Sequence, residues 1–233
     1  MRLAYPARCL SCGEETDADS MLCATCWPEA HFIAGSPCNA CGIPLMGEAD
    51  DEDLCETCFA HPPAWAKGRA VGLYEGPLRH MTLALKHGDR QDIARHMARW
   101  MASAGDTLFS PETCLVPVPL HWSRMLRRRF NQSVLIANAI ASQRPVRHIP
   151  DALQRIRATK PQKDMTRAER FKNQRDAIQA HPARSDLIHD KPILLIDDVM
   201  TTGATLSACA EACLAAGAAS VNILVFARVA RPH

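Results

Sequence analysis

The stretch that decides the fold is "KPILLIDDVMTTGATLSAC", which runs from Lys191 to Cys209. Its four branched apolar residues at 193–196 predict a strand buried on both faces, as is typical of a parallel sheet. Asp197 and Asp198 follow directly, and the small and hydroxyl residues after them predict a turn into a helix. The carboxyl ends of parallel strands are where α/β proteins bind ligands. This stretch is therefore the first candidate for a functional site.

The residue types in the turn indicate what kind of ligand it suits. Backbone N–H groups of residues 200–205, and the N-terminus of the helix behind them, can hold a phosphate. Gly203 allows close backbone approach, and three hydroxyl donors come from Thr201, Thr202 and Thr205. The two aspartates repel a phosphate but suit a group that donates hydrogen bonds, such as a pair of sugar hydroxyls. A phosphate beside vicinal hydroxyls describes a ribose 5-phosphate. A helix N-cap with incidental acids accounts for single residues here, but not for the whole run.

The rest of the chain after residue 63 predicts strands alternating with helices, the order of a parallel α/β sheet. The helix after the turn should end near Gly217, because glycine is common just past a helix C-terminus. A final strand should follow at 221–229, which implies a right-handed parallel unit. The other predicted elements are strands at 71–74 and 114–120, helices at 77–104 with a break near Gly88 and at 130–143, and a mobile loop at 150–170.

The N-terminal part is marked by cysteine pairs with a two-residue gap, a spacing that lets both thiolates reach one tetrahedral zinc ion. Four such pairs, in a chain without a recognisable export signal, favour metal binding over disulfides or a single redox motif. A zinc ion with four cysteine ligands has no open position, so both sites are expected to be structural. The paired cysteines are Cys9/Cys12, Cys23/Cys26, Cys38/Cys41 and Cys55/Cys58.

The four cysteine pairs can be combined into two zinc sites in two ways. Ten residues separate the first two pairs and thirteen separate the last two, which suits two consecutive four-cysteine sites. The alternative is a cross-braced arrangement, in which the first pair joins the third and the second joins the fourth. The remaining cysteines, Cys114, Cys209 and Cys213, are predicted to be small core residues.

The cysteine pattern divides the chain into a zinc-binding module at 1–63 and a larger domain at 64–233, joined through a proline-containing linker at 59–68. The module is too small and too polar to fold on hydrophobic burial alone, so zinc binding should supply its folding free energy. It holds 11 acidic and 2 basic residues. We therefore expect it to dock on the larger domain or on a partner rather than on DNA phosphates.

The formal net charge of +2 conceals a basic stretch at 124–175, with 14 basic and 3 acidic residues. Such a stretch is either a solvated face with loops or a surface for phosphates or nucleic acid. The charge alone does not choose between them. We find no signal peptide and no apolar run long enough to cross a bilayer. The sequence therefore predicts a cytoplasmic protein without membrane insertion.

The turn "IDDVMTTGAT" resembles the phosphoribosyl diphosphate (PRPP) loop of type I phosphoribosyltransferases. The whole chain resembles the ComF family (ComFC/GntX-like), which implies a type I phosphoribosyltransferase-like parallel sheet flanked by helices, with an N-terminal double zinc ribbon. This chain has Arg129 where the family pattern R-G-F-N-Q has glycine, so the local geometry is expected to differ there. Besides the cysteine pairs, the matching stretches are "ALKHG" at 84–88, "VPVPL" at 116–120, "RRRFNQ" at 127–132 and "RATKPQKDMTRAERFKN" at 157–173.

The resemblance implies a role for each part of the site. Asp197 and Asp198 would hold the ribose 2- and 3-hydroxyls, and the following turn would hold the 5-phosphate. The backbone of Val118 and Pro119 would contact the pyrophosphate, which Arg128 and Arg129 would neutralise. Magnesium would enter with PRPP, held largely by the ligand and water. The implied PRPP-binding residues of the turn are Val199, Met200, Thr201, Thr202, Gly203, Ala204 and Thr205. The implied catalytic residues are Arg128, Lys160, Gln162 and Arg170.

The implied reaction is displacement of pyrophosphate from the anomeric carbon through an oxocarbenium-like state, which would make the protein a glycosyltransferase of the pentosyl class. We find no base-recognition signature, so the acceptor is open. The ComF family is linked to natural competence and use of external DNA, which supports two alternatives. One is an accessory that binds single-stranded DNA and a competence helicase or uptake protein. The other is a regulator that senses PRPP without turnover.

Overall fold

A computed structural model describes residues 6–19, 21–47, 50, 52–87, 90–120, 130–159, 165–174 and 176–230. Its strands are β1 (Gly68–Leu73), β2 (Cys114–Pro117), β3 (Arg147–His148), β4 (Leu153–Arg155), β5 (Ile178–Ala180), β6 (Pro192–Met200) and β7 (Ser220–Arg228). Five of them form one parallel sheet in the order β1–β7–β6–β2–β3. The other two, β4 and β5, pair as an antiparallel ribbon. The predicted parallel α/β sheet is confirmed.

Helices lie on both faces of this sheet. They are α1 (Cys26–Glu29), α2 (Glu56–Ala60), α3 (Gly76–His87), α4 (Ile93–Ala104), α5 (Gln132–Ala141), α6 (Arg167–Gln174), α7 (Ser185–Ile188) and α8 (Ala204–Ala215), with short 3₁₀ turns at Asp106–Leu108 and Pro182–Arg184. The predicted break near Gly88 lies outside the described residues, between α3 and α4. Within the described ranges, no helix is both long enough and apolar enough to cross a bilayer.

The central strand β6 explains why the sheet is buried on both faces. Ile193 and Leu195 pack into the core that contains α8, while Leu194 and Ile196 pack into the core that contains α3, α4 and α5. Side chains alternate across a strand, so a continuous apolar run fills both cores at once. The strand prediction for residues 193–196 is therefore confirmed.

The same strand corrects one expectation. Asp197 and Asp198 do not follow β6 but lie within it, because pairing with β7 continues from Asp197 opposite Val225 to Met200 opposite Arg228. The carboxylates are thus held by sheet backbone, not by a loop. A strand positions a side chain more rigidly than a loop does, which matters for the site below.

The predicted helix end at Gly217 and the predicted mobile loop at 150–170 have different outcomes. The helix ending at Gly217 is confirmed: Gly217 has φ +86°, and the N–H of Ala218 donates to the carbonyl of Cys213 at 3.0 Å, the Schellman pattern. The mobile loop at 150–170 is wrong for its described ends, since 153–155 form β4 and α6 begins at Arg167. Residues 160–164 lie outside the described residues.

Candidate functional site

The cysteine pairs form two four-cysteine zinc-binding sites. In zinc site 1 (Cys9, Cys12, Cys23 and Cys26) and zinc site 2 (Cys38, Cys41, Cys55 and Cys58), the ligand atoms of each site all lie within 4.8 Å of one another. The sequential pairing is confirmed, and the cross-braced alternative is wrong. Four sulfurs gathered in this way fit one tetrahedral zinc ion with no open position, so the metal is structural.

The two zinc sites differ in their surroundings. Cys12 of zinc site 1 is exposed to solvent, whereas Cys38, Cys41 and Cys58 of zinc site 2 are buried. Zinc site 2 packs against the first strand of the sheet, where the N–H of Gly68 donates to the carbonyl of Asn39 at 2.8 Å. Zinc site 2 is therefore part of the interface with the α/β domain.

The turn between β6 and α8 borders a cavity of about 250 Å³. We call residues 200–205 the β6–α8 turn and this space the turn cavity. Two side chains from other elements complete its wall, Tyr74 after β1 and Lys86 on α3. The predicted residues that line it are Asp197, Val199, Met200, Thr201, Gly203, Ala204 and Thr205. Asp198 is buried beside it and is bound to Lys86. Thr202 faces a second cavity, described below.

Each of the two carboxylates uses one oxygen inside the protein. The Ser133 hydroxyl and the Asp198 N–H both donate to Asp197 Oδ1, each at 2.9 Å. Lys86 Nζ lies 3.0 Å from Asp198 Oδ2. Among the described contacts, Asp197 Oδ2 and Asp198 Oδ1 accept nothing. Each carboxylate therefore has one oxygen left for a group that donates hydrogen bonds.

The charge of the carboxylate pair is partly suppressed. Burial, and then repulsion from Asp198, raise the pKa of Asp197 to about 7, against the opposing effect of Lys86. The neutral form of this carboxyl is therefore favoured over a wider pH range than that of an ordinary aspartate. A ligand that donates hydrogen bonds to it would favour the charged form.

The N-terminus of α8 supplies the opposite polarity to the turn cavity. Gly203 is its N-cap residue with φ +81°, in the left-handed region that glycine tolerates best. Among the described residues, no side chain caps this helix end, and an anion is favoured beside the N–H groups of its first turn. Acceptors from β6 and donors from α8 thus face one space.

The predicted pyrophosphate turn is held by hydrogen bonds within the protein. The Val118 N–H donates to Ile196 O at 3.0 Å, and Asn131 Nδ2 donates to Val118 O at 2.9 Å. Pro119 has no N–H, and its carbonyl accepts from Arg155 Nε at 3.3 Å. Neither residue has a free N–H for a pyrophosphate oxygen, so their roles stay predictions.

Of the predicted catalytic residues, the structure describes only Arg170, so their roles stay predictions. Arg128, Arg129, Lys160 and Gln162 lie outside the described residues. Arg170 lies on α6, where its Nε donates to Met165 O at 3.0 Å, and it lines neither cavity. Its neighbour Arg167 is closer to the β6–α8 turn, since Arg167 Nη1 donates to Thr202 O at 3.4 Å.

Several site residues were missed by sequence reasoning. Ser133 lies two residues after the N-cap residue Asn131 in "FNQS". An asparagine at this position predicts where the helix begins, so Ser133 could have been placed at the start of α5 from the sequence. Tyr74 ends a predicted strand, and strand ends of a parallel sheet meet at one edge. Lys86 carried no local signal, since its partner Asp198 is remote in sequence.

Comparisons with known proteins agree with this architecture. The double zinc ribbon domain family matches residues 1–59, and the phosphoribosyl transferase domain family matches residues 131–233. The DNA utilization protein YhgH of Salmonella typhimurium is 32% identical over 214 residues, covering 89% of this chain and 90% of that protein. Competence protein F of Haemophilus influenzae is 27% identical over 229 residues, covering 95% and 96%. Competence protein ComFC of Bacillus subtilis is 28% identical over 214 residues, covering 90% and 85%. A double zinc ribbon joined to a phosphoribosyltransferase-type domain, with full-length relatives of these names, shows that the chain belongs to the ComF family.

Proposed function

We propose that the turn cavity binds PRPP and that the protein transfers its phosphoribosyl group to an acceptor, releasing pyrophosphate, in the use of external DNA. The observation that carries this proposal is that the Asp197 carboxylate of β6 and the N-terminus of α8 line one cavity of about 250 Å³, with Asp198 buried beside it. That combination suits a sugar phosphate, whose hydroxyls donate hydrogen bonds and whose phosphate accepts them.

The ribose would be held from β6. Asp197 Oδ2 and Asp198 Oδ1 accept one hydroxyl each, while their other oxygens stay bound to Ser133 and Lys86. The internal contacts keep the two carboxylates oriented before the ligand arrives. Preorganised acceptors lose less entropy on binding than mobile ones do.

The 5-phosphate would be held by the N-terminus of α8. Thr201, Gly203 and Thr205 line the turn cavity, and Gly203 has no side chain to block close approach. Because the helix dipole favours negative charge at this end, the phosphate is oriented away from the two aspartates. The sugar is then fixed at both ends.

Transfer requires positioning and charge stabilisation more than proton transfer. The two carboxylates lie beside the ribose, where positive charge develops at the anomeric carbon as pyrophosphate leaves. Magnesium, when bound with PRPP, would neutralise the leaving group, and the carboxylate oxygens of β6 are ligands of the type that Mg²⁺ prefers. The basic residues predicted to neutralise the leaving group, Arg128 and Arg129, stay predictions.

The test is pyrophosphate release from PRPP and Mg²⁺ across a panel of nucleobases, nucleosides and single-stranded DNA. We expect release that depends on one acceptor class and that is lost in the Asp197→Asn, Asp198→Asn double variant. Binding of PRPP with no release for any acceptor would favour the PRPP-sensing regulator instead. Absence of PRPP binding by calorimetry would exclude the proposal.

A second candidate is an accessory protein that binds single-stranded DNA and a competence helicase or uptake protein. The names of the relatives, DNA utilization protein and competence protein, favour a role around DNA. Against it, described arginines of the basic stretch already have partners inside the fold. Arg144 pairs with Asp106 at 2.6 Å, and Arg155 donates to Gln174 at 2.7 Å. Salt-sensitive DNA binding without pyrophosphate release would favour this candidate.

Gly203→Ala should weaken both folding and PRPP binding. A Cβ at Gly203 would lie 2.9 Å from Trp65 Cη2 and would sit on a backbone with φ +81°. Gly35 is the matched control, because it has φ +78° with nothing within 4 Å of an added Cβ. Each variant should lose about 1 kcal/mol of stability from backbone strain in urea unfolding. Only Gly203→Ala should also lose PRPP affinity, and equal affinity in both variants would contradict the packing argument.

A further inference from the structure

Arg228, at the end of β7, is a buried arginine that holds the β6–α8 turn from behind. It is 5% exposed. Its Nη1 donates to the carbonyls of Met200 at 3.3 Å, of Thr201, and of Val229 at 2.8 Å. Met200 and Thr201 open the β6–α8 turn. One side chain from a neighbouring strand therefore determines where two successive carbonyls of this turn point.

Arg228 also faces zinc site 2. A second cavity of about 270 Å³ lies behind the β6–α8 turn, and Cys41, Cys58, Thr202 and Arg228 all line it. Arg228 Nε is buried without a hydrogen-bond partner, and among the described residues the guanidinium pairs with no carboxylate.

A buried guanidinium needs a compensating negative charge. Four thiolates around one Zn²⁺ leave a formal double negative charge, and zinc site 2 lines the same cavity as Arg228 through Cys41 and Cys58. A zinc–thiolate centre on the wall of this cavity supplies such a charge to Arg228. Groups that surround metal ligands in this way commonly alter metal affinity.

Trp65 makes a second connection between zinc site 2 and the β6–α8 turn. Its Nε1 donates to Ala40 O at 2.6 Å, inside the loop between the ligands Cys38 and Cys41. The far edge of its ring reaches Gly203, where an added Cβ would lie 2.9 Å from Cη2. The ring is buried, so it transmits the position of the zinc-bound loop to the turn by direct packing.

We propose that zinc site 2 keeps the β6–α8 turn in its binding conformation, with Arg228 as the positioning residue that couples the zinc–thiolate charge to the turn. Loss of this zinc ion removes the centre that shares a cavity with Arg228 and that holds the loop between Cys38 and Cys41, so the turn loses its support. Zinc site 1 makes no hydrogen bond to the turn within the described residues. The ligand readout below rests on the proposed PRPP site; the zinc readout does not.

The first test measures zinc release to a chromogenic chelator from the full-length protein. Arg228→Met removes the charge at similar size, and we expect one of the two zinc equivalents to leave about 10–100-fold faster than in the wild type. Arg228→Lys keeps the charge and should restore zinc retention, while its single ammonium group should restore PRPP affinity only in part. Arg144→Met, which removes an arginine paired with Asp106, should match the wild type in both readouts. Unchanged zinc release from Arg228→Met would overturn the proposal.

The second test compares the equivalent ligands of the two zinc sites. Cys41→Ser should lower PRPP affinity at least about 10-fold and increase hydrogen exchange at the amides of residues 200–206, while Cys12→Ser should leave both close to wild type. Equal effects of the two variants would overturn the coupling. If the wild-type protein binds no PRPP, the proposed function fails. The exchange and zinc measurements then still decide whether Arg228 and zinc site 2 hold the turn.

Discussion

Replacing Asp197 with Asn should stabilise the ligand-free protein at neutral pH while it weakens PRPP binding. Burial, followed by repulsion from Asp198, raises the pKa of Asp197 from 3.8 to about 7. An ionised Asp197 is therefore unfavourable in the folded protein without ligand. Opposite effects on stability and affinity are characteristic of a residue kept for binding rather than for folding.

The stability advantage of Asp197→Asn over the wild type should increase with pH. Well below pH 3.8 the carboxyl is protonated in both the folded and unfolded states, so Asp197 contributes no pH-dependent difference. Between about pH 4 and 7 the unfolded state ionises first, and wild-type stability falls relative to Asp197→Asn. Above pH 7 the difference stays constant. We expect about 1–3 kcal/mol in favour of the variant at pH 7.5, measured by urea unfolding. A difference that does not change between pH 4 and 7.5 would contradict the raised pKa.

Asp198→Asn should behave differently, which provides an internal control. Asp198 Oδ2 lies 3.0 Å from Lys86 Nζ. Replacing the carboxylate leaves the mostly buried ammonium group of Lys86 without a charged partner. We therefore expect this variant to be less stable than the wild type by about 1–2 kcal/mol. The exposed Asp186 at the start of α7 is the matched substitution outside the site, and Asp186→Asn should change neither stability nor binding.

The double variant Asp197→Asn, Asp198→Asn should lose about 2–4 kcal/mol of PRPP binding free energy. An amide oxygen accepts a weaker hydrogen bond than a carboxylate does, and two charge-assisted bonds to the ribose are affected. Calorimetry with PRPP and Mg²⁺ at pH 7.5 measures this directly. Unchanged binding would remove the two carboxylates from the site.

Metal analysis should find two zinc ions per chain, and their removal should unfold the N-terminal module. The two four-cysteine sites organise most of the chain before residue 60. Structural zinc ions of this type contribute about 10–16 kcal/mol of apparent binding free energy at neutral pH. Acid should have the same effect as a chelator, because protonated thiols do not bind zinc.

The zinc ion of zinc site 1 should be released before that of zinc site 2. Cys12 of zinc site 1 is exposed, whereas three of the ligands of zinc site 2 are buried against the sheet. A chelator reaches the exposed site first, so release measured over time should show two phases of one equivalent each. Circular dichroism should show loss of the module with the helices of the α/β domain retained. A single zinc ion per chain would contradict the pairing of the cysteines.

Most of the fold was predictable from local patterns. The run at 193–196 and the strand at 221–229 contain enough branched apolar residues to specify a buried parallel pair, and Gly217 marked the end of α8. The exact end of β6 was not predictable. Whether Asp197 belongs to the strand depends on its pairing with Val225, which is a property of the sheet and not of the two residues.

The sequence by itself determined that this chain has four cysteine pairs at zinc-binding spacing and a turn that combines acids, hydroxyls and glycine. Both features depend on residues a few positions apart, so their chemistry can be inferred without a fold. Only the tertiary structure decided how the site is completed. Ser133 reaches Asp197 across 64 positions, Lys86 comes from α3, and Arg228 comes from β7. The reason is that a parallel sheet gathers the carboxyl ends of remote strands at one edge, and the contacts made there leave no local pattern in any one of them.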